Sequence, residues 1–432
     1  MSIHKNLQDV EVRQIFTWYQ AKVITRTEAQ LKLNISKSQF YDLLKRYKAH
    51  PKKFTIAYQR TRSNNQLPAT VVASIKRELE IDQRLINNPN MPIMFHNYSS
   101  VRDTVESNTG HSLSAQTVIN YAKRWGYYLE RPKKKAHTRE VITDYTGMLL
   151  QHDSSHHQWS PYAIDAKGKP IKWILITTLD DHSRKILYAE LFERETAWAH
   201  IQALEAVVLK YGIGITYYSD NHSIFRYVAN RDQQIHLNRV LGTDDVAPQW
   251  KRCVEATGMK VSYALSPEAK GKVERPYRWL QDRIVRRAAR QNARNIDEVR
   301  SILYQEIDRY NNRQVHSTTK EVPEMRFQRA ANENRSCFRP LNLKQTVPPV
   351  ASTKDLFCLR DERKIDGYGQ ISFCGSKLSV PGNLPDGTTV TLHVIPGRQD
   401  TNLDRQDTEI RFLKNNLVLG YSMISPLPQF RF

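Results

Sequence analysis

Three things are scarce in this chain, and each shortage excludes something. Only four cysteines occur among 432 residues, Cys253, Cys337, Cys358 and Cys374, far apart and without a C-x-x-C pair. That spacing does not make a zinc site, and a disulfide framework would be unusual in so long a chain, so ordinary thiols in a reducing compartment are expected. No apolar run reaches the roughly 18 residues needed to cross a bilayer, and the start, Met1 to Asn6, is polar rather than signal-like. No membrane partner is expected, and a cytoplasmic location is. Acid is the third shortage: 44 Asp and Glu stand against 65 Lys and Arg, a net charge of +21 with a pI near 9.7. Such an excess suits a polyanionic partner, because cationic side chains displace condensed counterions from phosphates. The plain alternative is a soluble protein that happens to be basic.

A chain of this length predicts two to four domains at about 100–200 residues each. Val12, Ile15, Phe16 and Tyr19 recur at helical spacing, Thr27 to Leu31 opens a second helix, and Ser36 can cap a third that carries Phe40, Leu43, Leu44 and Tyr47. This order predicts a helix-turn-helix domain over 1–62, with Lys37, Ser38, Gln39 and Tyr41 facing the major groove. Lys52 and Lys53 belong to an acid-free basic linker that touches phosphates. A three-helix bundle used for protein contacts is the alternative. Helical patterns over Val71–Leu85, Ser99–Ser107 and Ser114–Trp125 predict a second such domain over 63–139, ending in the basic linker residues Lys133, Lys134 and Lys135. From about residue 140 the period turns strand-like: Trp173 to Thr178 and Ile186 to Phe192 are strands, and Trp198, Ile201, Leu204 and Val208 mark an amphipathic helix. A mixed α/β layer fold follows for 140–335. Short strands at 371–373, 377–380, 389–392 and 409–412 predict a small β-barrel or sandwich over 345–432.

Three carboxylates stand out by position. Asp153 ends an apolar stretch, Asp220 lies where a β-rich run stops, and Glu274 follows the string Lys270-Gly271-Lys272-Val273. A carboxylate at the end of a buried strand has its backbone held rigidly, and three such groups can converge on hard divalent cations. Two such ions about 3.5–4 Å apart can activate the attacking oxygen and stabilise the leaving oxygen of a phosphodiester. Gaps of 67 and 54 residues separate the three, so only folding could unite them. Most acids on a surface are merely solvated. Asp180 and Asp181 sit in a turn, where Asp serves local hydrogen bonding. The series His152, His156, His157 does not match a zinc spacing.

These strings, with Leu179-Asp180-Asp181-His182-Ser183-Arg184 and Tyr310-Asn311-Asn312-Arg313 in the same order, resemble the DDE core of insertion-sequence transposases and retroviral integrases over roughly residues 140–330. The resemblance implies an RNase H-like core in which Asp153, Asp220 and Glu274 are catalytic and bind two Mg²⁺ or Mn²⁺ ions. It implies binding of element ends, hydrolysis that frees a 3′-hydroxyl, and joining of that hydroxyl to target DNA. Partners would be double-stranded DNA and other copies of the chain; a helper ATPase is not decided. The location would be bacterial and nucleoid-associated, and the terminal barrel would bind DNA or a neighbouring subunit. Asn221 would orient Asp220 or hold the scissile strand. Residues 226–252 lengthen the second gap beyond the integrase spacing. A catalytically inactive DNA-binding regulator and a nuclease without strand transfer are the alternatives; the three intact carboxylates speak against the first.

Beyond Glu274, seven arginines from Arg275 to Arg294 face one acid, Asp282. Arg283, Arg287, Arg290 and Arg294 fall on one helical stripe. That stripe, with Arg275 and Arg278, is expected to bind DNA phosphates. Lys270 and Lys272 flank a glycine that permits close backbone approach and are expected to do the same.

Overall fold

The computed structural model describes residues 7–57, 67–130, 143–219, 249–263, 271–397 and 407–424, and the backbone alone for 271–275. The chain forms two compact units, Met1–Val72 and Ala73–Phe432.

In the first unit, α1 (Asp9–Gln20), α2 (Arg26–Leu33) and α3 (Lys37–Ala49) form in sequence. Thr25 caps α2 in a box with Glu28, and Ser36 caps α3 in a box with Gln39, each pair satisfying otherwise orphaned backbone N–H groups. Asn34 ends α2 with φ +50°, a left-handed conformation that Asn tolerates. Val12, Phe16, Ala29, Leu33, Phe40 and Leu44 make the core, with Phe16 edge-on to Phe40 at 5.7 Å.

Three helices come next, α4 (Ala69–Ile86), of which all but the first four residues belong to the second unit, α5 (Tyr98–Thr109) and α6 (Ala115–Trp125). They are followed by β1 (Leu149–His157), β2 (Trp173–Asp180), β3 (Ile186–Phe192), α7 (Ala197–Tyr211), β4 (Thr216–Ser219), α8 (Gln249–Ala256), β5 (Lys260–Tyr263), α9 (Gly271–Gln291), α10 (Ile296–Asn312) and α11 (Pro323–Asn332). The five strands form one sheet in the order β3-β2-β1-β4-β5. β1 is antiparallel to β2, and β2 to β3, while β4 is parallel to both β1 and β5. Every residue of β2 is buried because both faces are covered. Ile174 and Ile176 meet Ala199 and Ala203 of α7, and Trp173, Leu175 and Leu179 meet Leu280, Ile284 and Leu303 of α9 and α10. Gly212 turns the chain from α7 into β4 at φ +101°, and a Cβ there would lie 2.5 Å from the Arg339 carbonyl oxygen.

After a short helix α12 (Thr353–Leu356) come β6 (Leu359–Lys364), β7 (Gln370–Phe373), β8 (Ser376–Ser379), β9 (Thr389–Ile395), β10 (Thr408–Lys414) and β11 (Leu417–Ile424). The expected barrel or sandwich is, among the described residues, an open antiparallel sheet β11-β10-β9-β6 beside the hairpin β7-β8. Its apolar face does not need closure to be buried. Leu359, Val390, Leu392, Ile410 and Phe412 share one core with Trp250, Cys253 and Val254 of α8. Gln249 fastens the contact, accepting from Arg360 N at 2.9 Å and donating to Arg360 O at 2.7 Å.

Candidate active site

Period two along β1 assigns its side chains to opposite faces of the sheet. His152 and Ser154 face α7 and the loop before it, where Ser154 donates to Glu195 and His152 meets His200. Ser155 accepts from Gln281 of α9 at 3.0 Å. Asp153, two residues before Ser155, belongs to that α9 face and is 8% exposed. Its cross-strand partner is Thr177. The Tyr277 hydroxyl of α9 donates to the Asp153 carbonyl oxygen at 2.6 Å and accepts from Thr177 Oγ1 at 2.8 Å. β4 pairs with β1 as far as Tyr218 opposite Gln151, and it ends at Ser219, the residue before Asp220. The backbone of α9 starts at Gly271 and includes Glu274. Asp220, Asn221, Lys270 and Lys133 to Lys135 lie outside the described residues, as do the side chains of Lys272, Glu274 and Arg275. Asp153 is therefore the one described side chain of the expected triad. Among the described residues no three His, Cys, Asp or Glu side chains gather in a way that could hold a metal.

Behind Asp153 runs a buried polar chain that the sequence did not announce. Thr178 Oγ1 is 2.9 Å from His152 Nδ1, His152 Nε2 is 2.8 Å from His200 Nδ1, and His200 Nε2 is 3.1 Å from Glu195 Oε1. One proton order satisfies all three contacts with both rings neutral. Thr178 donates to His152, His152 Nε2–H donates to His200, and His200 Nε2–H donates to the Glu195 carboxylate. The His152 ring also stacks on Trp250 at 5.3 Å. Both ring nitrogens of His152 have protein partners, which removes it as a zinc ligand.

Asp180 and Asp181 build the β2–β3 turn. Asp180 accepts from Gly147 N and Ser183 N, each at 2.8 Å, while Asp181 pairs with Arg184 at 2.8 Å and accepts from Gln151 Nε2. Both are fully buried.

The basic residues divide into two groups. Lys37, Ser38, Gln39 and Tyr41 at the start of α3 are exposed, as are Lys52 and Lys53 in the 3₁₀ turn Pro51–Lys53 and Arg278 on α9. Gln39 also accepts from Ser36 N in the cap. The arginine stripe of α9 needs correction. Arg283 is 3% exposed, lies 2.6 Å from Asp103 of α5 and 3.9 Å from Glu306 of α10, and sits 4.6 Å above the Trp279 ring. It is not available to a phosphate in this structure. Its neighbours are engaged too: Arg286 with Asp82, Arg287 with Glu306 at 2.8 Å, and Arg290 with Glu78. Arg287, Arg290, Arg309 and Arg313 also line a cleft of roughly 750 Å³ beside Ser100 and Thr104. No described helix is long and apolar enough to cross a membrane.

A mixed sheet in this order, with helices on both faces and a carboxylate on its central strand, fits an RNase H-like core. Two curated proteins are similar to the chain in sequence. The chain is 26% identical over 275 residues to "Putative transposase y4bF" of Sinorhizobium fredii (strain NBRC 101917 / NGR234), covering 63% of this chain and 53% of that protein. It is 27% identical over 205 residues to "Transposase for insertion sequence IS1202" of Streptococcus pneumoniae, covering 48% of this chain and 40% of that one. Over these stretches the chain is similar to proteins named as transposases. It spans about half the length of the curated relatives it matches. No protein-family model matches it. Among solved structures, a simian T-cell lymphotropic virus intasome in complex with PP2A regulatory subunit B56 gamma superposes at a TM-score of 0.34 with 11% identity, covering 74% of this chain and 95% of that one. The HTLV-2 integrase catalytic core in complex with magnesium superposes at 0.30 with 14% identity, covering 43% of this chain and 98% of that one. Both superpositions are slight.

Proposed function

We propose that this chain is a DNA transposase that binds the ends of its element, cuts a phosphodiester there to free a 3′-hydroxyl, and joins that hydroxyl to target DNA. The observation that carries this reading is the place of Asp153. It stands on the central strand, beside the end of β4 that precedes Asp220 in sequence, on the face against which α9, the helix that includes Glu274, is attached through Tyr277. Asp153, Asp220 and Glu274 would hold Mg²⁺ or Mn²⁺, two ions per site. An all-carboxylate oxygen donor set on rigid backbone suits hard divalent cations. The chemistry supplied by the bound ions is activation of the attacking oxygen and stabilisation of the leaving one. The protein's own part is to fix the carboxylates by strand and helix packing and to hold DNA across them. Incubating the protein with the DNA flanking its own gene, Mg²⁺ and a target plasmid tests the reading: cut ends and joined products are expected, and neither would appear if it is wrong.

For end recognition we assign α1 to α3 and α4 to α6 as two helix-turn-helix modules, with Lys37, Ser38, Gln39 and Tyr41 at the groove. Arg287 and Arg290, which line the cleft, and the remaining lysines and arginines of the expected set, except the buried Arg283, would contact the backbone. The four-stranded sheet and its hairpin would take the role expected of the terminal barrel, binding DNA or a second copy. Residues 1–72 are expected to bind end DNA more tightly than random DNA, with a marked salt dependence. Replacing Lys37, Lys52 and Lys53 by Ala should lower the salt slope by up to about three units if each contacts one phosphate. Titrations by fluorescence anisotropy at several salt concentrations check this, and an unchanged slope would remove these lysines from the interface.

A further inference from the structure

We propose that Tyr277 is a positioning residue that sets the distance between Asp153 and the first turns of α9, where Glu274 stands. The inference rests on the carboxylate site proposed above. Tyr277 is 6% exposed, and its hydroxyl is inserted between both strands of the β1–β2 pair at the level of Asp153. It donates to the carbonyl of Asp153 itself and accepts from Thr177, the residue opposite Asp153 in register. One turn further along α9, Gln281 repeats the attachment to β1 at Ser155. One turn earlier, three residues before Tyr277, is Glu274.

A phenol is a costly choice for packing alone. Phenylalanine fills the same space without desolvating a hydroxyl, which must find partners when buried. Here the hydroxyl has two, and both define position along the strand rather than depth in the core. The ring, in one buried cluster with Trp173 and Leu175 of β2, fixes how close α9 lies to the sheet; the hydroxyl fixes its axial register. Register matters because misplacing a reacting group by about 1 Å can cost on the order of 100-fold in rate.

The test is Tyr277→Phe in the full-length protein, with Asp153→Asn alongside. Mn²⁺ binding is followed by loss of the free-ion paramagnetic resonance signal, cleavage by release of labelled end DNA, and folding by the thermal midpoint without divalent ions. Tyr277→Phe should weaken Mn²⁺ binding and slow cleavage at saturating metal by about 10–100-fold, the usual effect of removing an outer-shell partner, with end binding retained. Thr177→Val, which removes the donor to the phenol, should move both readouts in the same direction by less and serves if the Phe variant does not fold. Mn²⁺ binding and cleavage equal to the parent in a folded Phe or Val variant overturns the inference. A lowered thermal midpoint with unchanged Mn²⁺ affinity also overturns it, because a merely structural role does that. If Asp153→Asn binds Mn²⁺ and cleaves like the parent, the carboxylate site itself is misassigned, and the positioning role falls with it.

Discussion

Asp153→Asn is expected to abolish DNA cleavage and joining while end binding stays close to that of the parent. The amide keeps the volume and the strand pairing of the carboxylate and removes its charge. Removing outer-shell partners of metal sites typically costs about 10–100-fold, so loss of a direct ligand should cost more, on the order of a thousandfold, or about 4 kcal/mol of transition-state stabilisation. Asp220→Asn and Glu274→Gln should behave alike. Single-turnover release of labelled end DNA measures the loss, and gel shift of the same DNA without divalent ions confirms binding. Near-normal cleavage by two of the three variants would sink the triad.

What the sequence made legible follows from how local each signal is. The helices α1 to α6 have short-range caps and periods: Ser36 with Gln39, Thr25 with Glu28, and Ser114 with the N–H of Thr117. β2 and β3 show as apolar runs because both faces of the sheet are covered. Strands β6 and β11 escape the same reading. β6 is Leu-Arg-Asp-Glu-Arg-Lys and holds its place through pairing with β9. β11 is an edge strand, half exposed, with Gly420 in its middle and a register break opposite Phe412 and Leu413.

The site divides along the same line. The position of Asp153 is legible, as a carboxylate at the end of an apolar stretch that the fold buries on β1. Tyr277 is not, because its partner is a backbone carbonyl 124 residues away and nothing in the local string marks a phenol as a spacer. The arginines after Glu274 show the converse failure. Counting acids within one helix turned them into a free cationic stripe, whereas carboxylates of other helices pair with several of them: Asp82 and Glu78 lie 204 and 212 residues upstream of their partners, and Glu306 lies downstream of Arg287. Charge balance is a property of the fold, and a sequence window cannot see it. The three buried acids on α4 and α5, Glu78, Asp82 and Asp103, instead fasten these helices to α9.

Arg283→Ala and Arg286→Ala are therefore expected to act on stability first. Arg286 is 2% exposed and pairs with Asp82, Asp282 and the Phe95 carbonyl, and Asp82 in turn holds His96 at 2.7 Å. Removing the guanidinium leaves a buried carboxylate uncompensated, which typically costs about 3–5 kcal/mol. Loss of Arg283 should cost less, because Asp103 keeps Arg102 and has Arg309 at 3.3 Å. Acid pH gives an independent check. Burial pushes the Asp103 carboxyl up, but Arg283, Arg102 and Arg309 outweigh it and hold the group below its ordinary value. A carboxyl depressed in the folded state adds stability that is present above about pH 4, its unfolded value, and is lost as pH falls through the folded one. Arg283→Ala should shrink that acid-side loss while lowering stability at neutral pH. Urea unfolding followed by circular dichroism at pH 7 and at steps below pH 4 measures both effects. Arg290→Ala, whose guanidinium is one-quarter exposed, should cost less. If Arg283→Ala leaves the urea midpoint unchanged and instead lowers the salt slope of DNA binding, the guanidinium meets phosphate, and the docking of α5 on α9 is not what holds it.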